Sequence, residues 1–173
     1  NDASNNVIMG IGVMSGPTSG SSSIIIDDNI VQNVIGDQSS MGIQVGGNVL
    51  NEVIDIQNNK ISECSGTGIS FINVTSGQII SNEVTGNGMH GVSIGQCTAI
   101  TLEGNTVTEN MGSLLSTGIM ARDSQNIDVT TNTATGNKAG IYYQNVTGGK
   151  VLSNNASNSV IMGIGVMSGP TSG

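Results

Sequence analysis

Short apolar alternations recur along the whole chain, separated by polar, glycine-rich stretches. One set opens with glycine: GIGV from Gly10, GIQV from Gly42, GISF from Gly68, GVSI from Gly91, GIMA from Gly118 and GIYY from Gly140. A period of two over four or five residues predicts a strand with one buried face. Its inward residues are then Ile11/Val13, Ile43/Val45, Ile69/Phe71, Val92/Ile94, Ile119/Ala121 and Ile141/Tyr143. A second set alternates in the same way at Ile24/Ile26, Ile54/Ile56, Ile100/Leu102 and Ile127/Val129, with Gly77/Ile79 and Gly149/Val151 in the same slots. A third, shorter strand supplies one inward residue per repeat: Ala3, Val31, Ile61, Val84, Val107, Ala134 or Ala156.

An asparagine two residues before each of these last positions sets the period. It stands at Asn1, Asn29, Asn59, Asn82, Asn105, Asn132 and Asn154, in steps of 28, 30, 23, 23, 27 and 22 residues. Three strands per step, each stacked on its counterpart one coil away at about 4.8 Å, make a parallel β-solenoid. The expected fold is all-β, with about six coils of three short strands per 153 residues. At the bend before the third strand, asparagine tolerates the left-handed backbone. Its amide both donates and accepts, so the column predicts an asparagine ladder. Asn87, Asn110 and Asn137, with Cys64 in the equivalent slot, predict a second one.

Composition narrows the function. Aromatic residues are 2% and charged residues 9%, while apolar residues reach 36%. The apolar share argues against disorder, and a core without large aromatics must be thin and regular. The net charge is −8, with Lys60, Arg122, Lys138 and Lys150 as the only basic residues. That argues against nucleic acid, which needs a basic footprint, and against anionic membrane surfaces. No apolar run approaches the roughly 20 residues of a membrane span, and the opening NDASNN has no signal-peptide character. Cys64 and Cys97 are expected as buried thiols.

The strands, coil length and asparagine column resemble the right-handed parallel β-helix superfamily typified by pectate lyases and polysaccharide epimerases, over the whole chain. That superfamily also holds non-enzymatic repeat proteins and fibres. In its enzymes the substrate lies on the outer face of the sheet that begins here with the glycine signals. The outward residues of that sheet are Gly12, Gln44, Ser70, Ser93, Met120 and Tyr142, none of them a carboxylate or a cation.

Chemistry on uronic acids needs a cation for the sugar carboxylate and a base with a tuned pKa. The candidates bordering the sheet are His90, Arg122, Asp123, Lys138 and Tyr142, on three coils. The tyrosine–glycine and aspartate–proline–histidine signatures of the epimerases are missing, so no enzyme is expected and these residues read as solvated surface. Asp27, Asp55, Glu103 and Asp128 are scattered over two columns, beside Ile25, Gln78, Ile80 and Thr130. They pair no carboxylates for glycoside hydrolysis. Asp27–Asp28 falls short of the six or more oxygens a hard cation takes; neither metal nor cofactor is expected. The sequons at Asn73, Asn145 and Asn155 permit N-glycosylation.

The final expectation comes from an internal repeat. Residues 154–173 match residues 1–20 at eighteen of twenty positions, differing only at Asp2/Asn155 and Asn6/Ser159. The chain then reads as a single β-solenoid segment over 1–173, one period over 1–153 and the start of the next over 154–173, each copy comprising a strand and the turn after it. The reading that follows is a structural protein of extracellular or cell-surface filaments, tandem or stacked head to tail and laterally with copies of itself. The alternative is a carbohydrate-active or carbohydrate-binding β-helix.

Overall fold

The computed structural model describes residues 1–15, 22–47 and 52–168. The turns expected after the first and last glycine-led strands fall outside them. The described residues form fifteen strands, with no helix among them, and every pairing between named strands is parallel. Each turn of the chain visits three sheets in order. In the first turn these visits are β1 (Met9–Ser15), β2 (Ser22–Asp27) and β3 (Ile30–Gln32). The next three turns repeat the sequence with β4 (Met41–Gly47), β5 (Glu52–Gln57) and β6 (Lys60–Ser62), then β7 (Thr67–Ile72), β8 (Gly77–Ile80) and β9 (Glu83–Thr85), then β10 (Val92–Gly95), β11 (Thr98–Glu103) and β12 (Thr106–Thr108).

After that the first two strands fuse. β13 (Thr117–Thr130) and β14 (Ala139–Leu152) each run unbroken round a corner from the first sheet into the second, where the sequence predicts two short strands. The third strand of these turns shrinks to isolated bridges at Thr133 and Asn155. β15 (Met162–Met167) closes the first sheet on β14.

The register stacks like on like. Ile43 lies opposite Ile69, Ile69 opposite Val92, and Val92 opposite Ile119. The column interiors are fully buried, as at Ile54, Ile61, Ile79, Val84, Leu102 and Val107, and Phe71 is the largest of them. At the outermost turns Ala3, Ile11, Val13, Val151 and Ala156 pack against this core while only partly buried.

Both predicted ladders are present. Each asparagine Oδ1 accepts from the preceding asparagine's Nδ2, from Asn1→Asn29 at 3.0 Å through to Asn132→Asn154 at 3.0 Å. It also accepts the preceding asparagine's backbone N–H, as Asn82 does from Asn59 at 2.9 Å. The second column runs Cys64, Asn87, Asn110, Asn137 in the same manner.

One expectation is corrected. The left-handed residue is not the ladder asparagine but the one before it: Asp28, Asn58, Ser81, Gly104, Thr131 and Ser153. The asparagine itself turns inward and is buried, at 1–6% exposure from Asn29 to Asn132. The reason is division of labour. A left-handed residue reverses the chain and faces solvent, and the next side chain then points inside, where only an amide satisfies the corner's backbone groups.

The same rule builds a third corner that the sequence reading lacks, between the first and second sheets. Left-handed Asn73, Gln96, Asp123 and Asn145 precede Val74, Cys97, Ser124 and Val146. Here the Cys97 backbone N–H donates to Ser124 Oγ at 3.0 Å, and Val74 N–H donates to Cys97 Sγ at 3.4 Å. Both cysteines are free and buried at corners; burial pushes the Cys64 thiol up to about 11.

Candidate functional site

The outer face of the first sheet carries a groove of about 380 Å³, a size common for small-ligand sites. It crosses four successive turns, from Gln38 and Met41 through Thr67, Ser70 and His90 to Met120, Arg122 and Asp123. The register explains its floor. Gln44, Ser70, Ser93, Met120 and Tyr142 are successive partners in one row, the outward row that the alternation predicts, and its middle members Ser70, Ser93 and Met120 line the groove. Ser70, although outward, is 3% exposed.

His90, Arg122 and Asp123, three of the five candidate residues, come together here. They are separated by about thirty positions in the chain and by one turn in space. His90 Nδ1 lies 2.7 Å from Oγ1 of Thr117, its counterpart one turn on, which is buried. Arg122 pairs in register with Gly95. Its Nε lies 3.6 Å from where a Cβ on Gly95 would be, an ordinary contact distance, so the guanidinium lies back over His90's turn. Burial first, and the Arg122 charge second, hold the His90 imidazole down at about 4, so it is uncharged at neutral pH.

Among the described residues the salt bridges are Lys60–Glu83 at 3.1 Å and Lys150–Asp128 at 3.3 Å. Arg122 enters neither, which leaves its charge available to the groove. Tyr142 lies beside Met120 in the row but outside the groove's lining, and its hydroxyl donates to Met167 Sδ at 3.4 Å. Lys138 also lies outside the lining. The groove residues missed by the sequence reading are Gln38, Met41, Thr67, Ile72, Met89, Gly95 and Gln96; the tie between Thr117 and His90 was legible only as the step from one coil to the next.

The remaining predicted positions lie elsewhere. Asn73 and Asn145 are exposed left-handed corner residues, and Asn145 Nδ2 donates to Asp123 Oδ1 at 2.8 Å. Asn155 is exposed and bridges Thr133. Asp55 stands between Ile25 and Gln78, and Glu103 between Ile80 and Thr130, so no carboxylates pair across these rungs. Asn58 Nδ2 donates to Asp27 Oδ1 at 2.9 Å.

Comparison with known proteins bears on the fold. Crystal structures of the periplasmic alginate epimerase AlgG superpose with a TM-score of 0.66 at 19% identity, over 97% of this chain and 43% of theirs. A double mutant of the same enzyme gives 0.68 at 22% identity, over 96% and 44%. The chain thus spans less than half the length of these structures, and at such identities the likeness is one of fold. Among curated proteins, no sequence matches this chain. The family model for the right handed beta helix region matches residues 41–172, well over half the chain. The protein belongs to the right-handed parallel β-helix family.

Proposed function

We propose that this β-helix is a carbohydrate-binding or carbohydrate-active protein that holds a glycan along the groove of its first sheet. The observation that carries the reading is the convergence of His90 and Arg122 from neighbouring turns into one groove of about 380 Å³. Arg122, free of any salt bridge among the described residues, is placed to meet an acidic group. His90 offers a neutral ring nitrogen. A base held this low is weak against the ideal of a pKa near the working pH, so binding is better supported than turnover. The fold likeness to an alginate epimerase supports an acidic glycan as the first ligand to try, and an extracellular or cell-surface location fits such a ligand.

Calorimetric titration with acidic and neutral oligosaccharides tests this reading. Acidic oligosaccharides are expected to bind, and Arg122→Ala to weaken them by at least tenfold without changing the fold. An absence of binding to either class, or an unchanged affinity in the Arg122 variant, would refute the assignment. Incubating uronate polymers with wild type and His90→Gln then separates turnover from binding.

One observation favours a second reading, the filament. The two copies of the repeated segment occupy the same structural phase, since β1 and β15 are both first-sheet strands with Ile11/Val13 matched by Ile164/Val166. Electron microscopy of the native material is then expected to show thin filaments with an axial repeat near the six-coil length. Compact monomers alone would count against it.

A further inference from the structure

The chain has eight methionines, and none belongs to the hydrophobic core cluster. Methionine ordinarily fills irregular gaps in cores; here isoleucine, valine and leucine fill the core. Seven of the eight stand on or beside the outer face of the first sheet. Met41, Met89 and Met120 line the groove. Met9 and Met162 lay their sulfurs where side chains on Gly12 and Gly165 would be, and Met14 Sδ lies 3.5 Å from the Cβ position of Gly46. Met167 accepts the Tyr142 hydroxyl. Apart from Met120, which is buried, these thioethers stand on a surface where burial of apolar area does not call for them.

Three of these thioethers line the same groove as the only imidazole of the chain. Soft thioether donors with imidazole select Cu(I) over hard cations. Among the described residues no group of three or more His, Cys, Asp or Glu side chains offers a harder ion a site. The His90 ring is also prepared. Its Nδ1 is tied to buried Thr117 Oγ1 at 2.7 Å, which leaves Nε2 as the free donor atom. A ligating histidine is commonly oriented in this way through its other nitrogen. The register places the residues that carry the sulfurs. Met120 stands one rung beyond Ser93 on one side of His90, and Met41 two rungs away on the other, through Thr67. They stand on turns to either side of His90 in the stack, and Met89 is its chain neighbour.

We propose that this groove binds one Cu(I) ion through His90 Nε2 and Met89, with Met120 or Met41 completing the set. The inference does not depend on the glycan reading.

Anaerobic titration of the folded protein with Cu(I), against a chromogenic Cu(I) chelator, tests it. One equivalent is expected to bind, with Zn(II) failing to compete. Met41→Leu/Met89→Leu/Met120→Leu is expected to lose at least tenfold in affinity. Thr117→Val should lose about tenfold, the usual effect of removing a ligand's orienting partner. A Cys64→Ala/Cys97→Ser variant should keep wild-type affinity. Methyl NMR of the unmodified protein with Ag(I), which needs no variant to fold, should shift Met89 together with Met41 or Met120 while Met9, Met111 and Met162 stay put. Unchanged affinity in the leucine variant, loss in the cysteine variant, effective competition by Zn(II), or uniform methyl shifts would each overturn the proposal.

Discussion

At the scale of single residues, the corner asparagines bear the heaviest polar duty in the molecule. Asn82 Oδ1 accepts from Asn59, and its Nδ2 donates to the carbonyls of Ile56 and Ile80 and to Asn105 Oδ1, all at 2% exposure. Truncation would leave several buried partners unsatisfied, each costing about 1–3 kcal/mol. Asn82→Ala is therefore expected to destabilise by about 3 kcal/mol or more in denaturant unfolding, whereas Gln125→Ala, on an exposed position, should stay within about 0.5 kcal/mol. His90 gives a second residue-level prediction. Its folded pKa, about 4, lies below the ordinary value near 6.5, so between these limits the unfolded chain binds the proton and the folded one does not. Stability then rises with pH across this window: the contribution is full above about 6.5 and is lost as pH falls toward 4. NMR titration of this single histidine should report the low midpoint, Arg122→Ala should raise it in part, and His90→Gln should flatten that section of the stability curve.

At the scale of the strands and corners, the inward rows were readable because the side-chain period in a strand is two and each row is mostly aliphatic. The asparagine column was readable because one residue type recurs at one slot. The third corner was not, since Val74, Cys97, Ser124 and Val146 share only modest size and an inward direction. The position of the left-handed residue was also hidden. Asp28, Asn58, Ser81, Gly104, Thr131 and Ser153 have no common chemistry, and Thr131 is a poor intrinsic choice for that backbone. The groove was legible only by halves: His90 and Arg122 stood out as rare charged or titratable residues, but their meeting depends on the rung-by-rung register. Gly95 makes a prediction at this scale. Gly95→Ser puts a side chain beneath Arg122 Nε and is expected to displace the guanidinium, weakening acidic oligosaccharides several-fold in the same calorimetric titration while leaving the thermal midpoint nearly unchanged.

At the scale of the whole molecule, the net charge of −8 sets a diffuse repulsion against acidic ligands, and Arg122 must overcome it locally. The affinity of an acidic oligosaccharide therefore reflects two opposed terms, and screening at higher ionic strength weakens both. The steps of 23 residues from Asn59 to Asn82 and from Asn82 to Asn105 carry a further consequence. The two joints are made alike, with amide contacts of 3.0 Å in each and Ile61, Val84 and Val107 in one column. A turn of this chain is thus an exchangeable part. Excising residues 82–104 would bring Asn59 onto Asn105 and β7 onto β13, yielding a shorter rod that still folds, melts earlier and no longer carries His90. Length here is an adjustable dimension, set by how many turns are threaded onto the ladder.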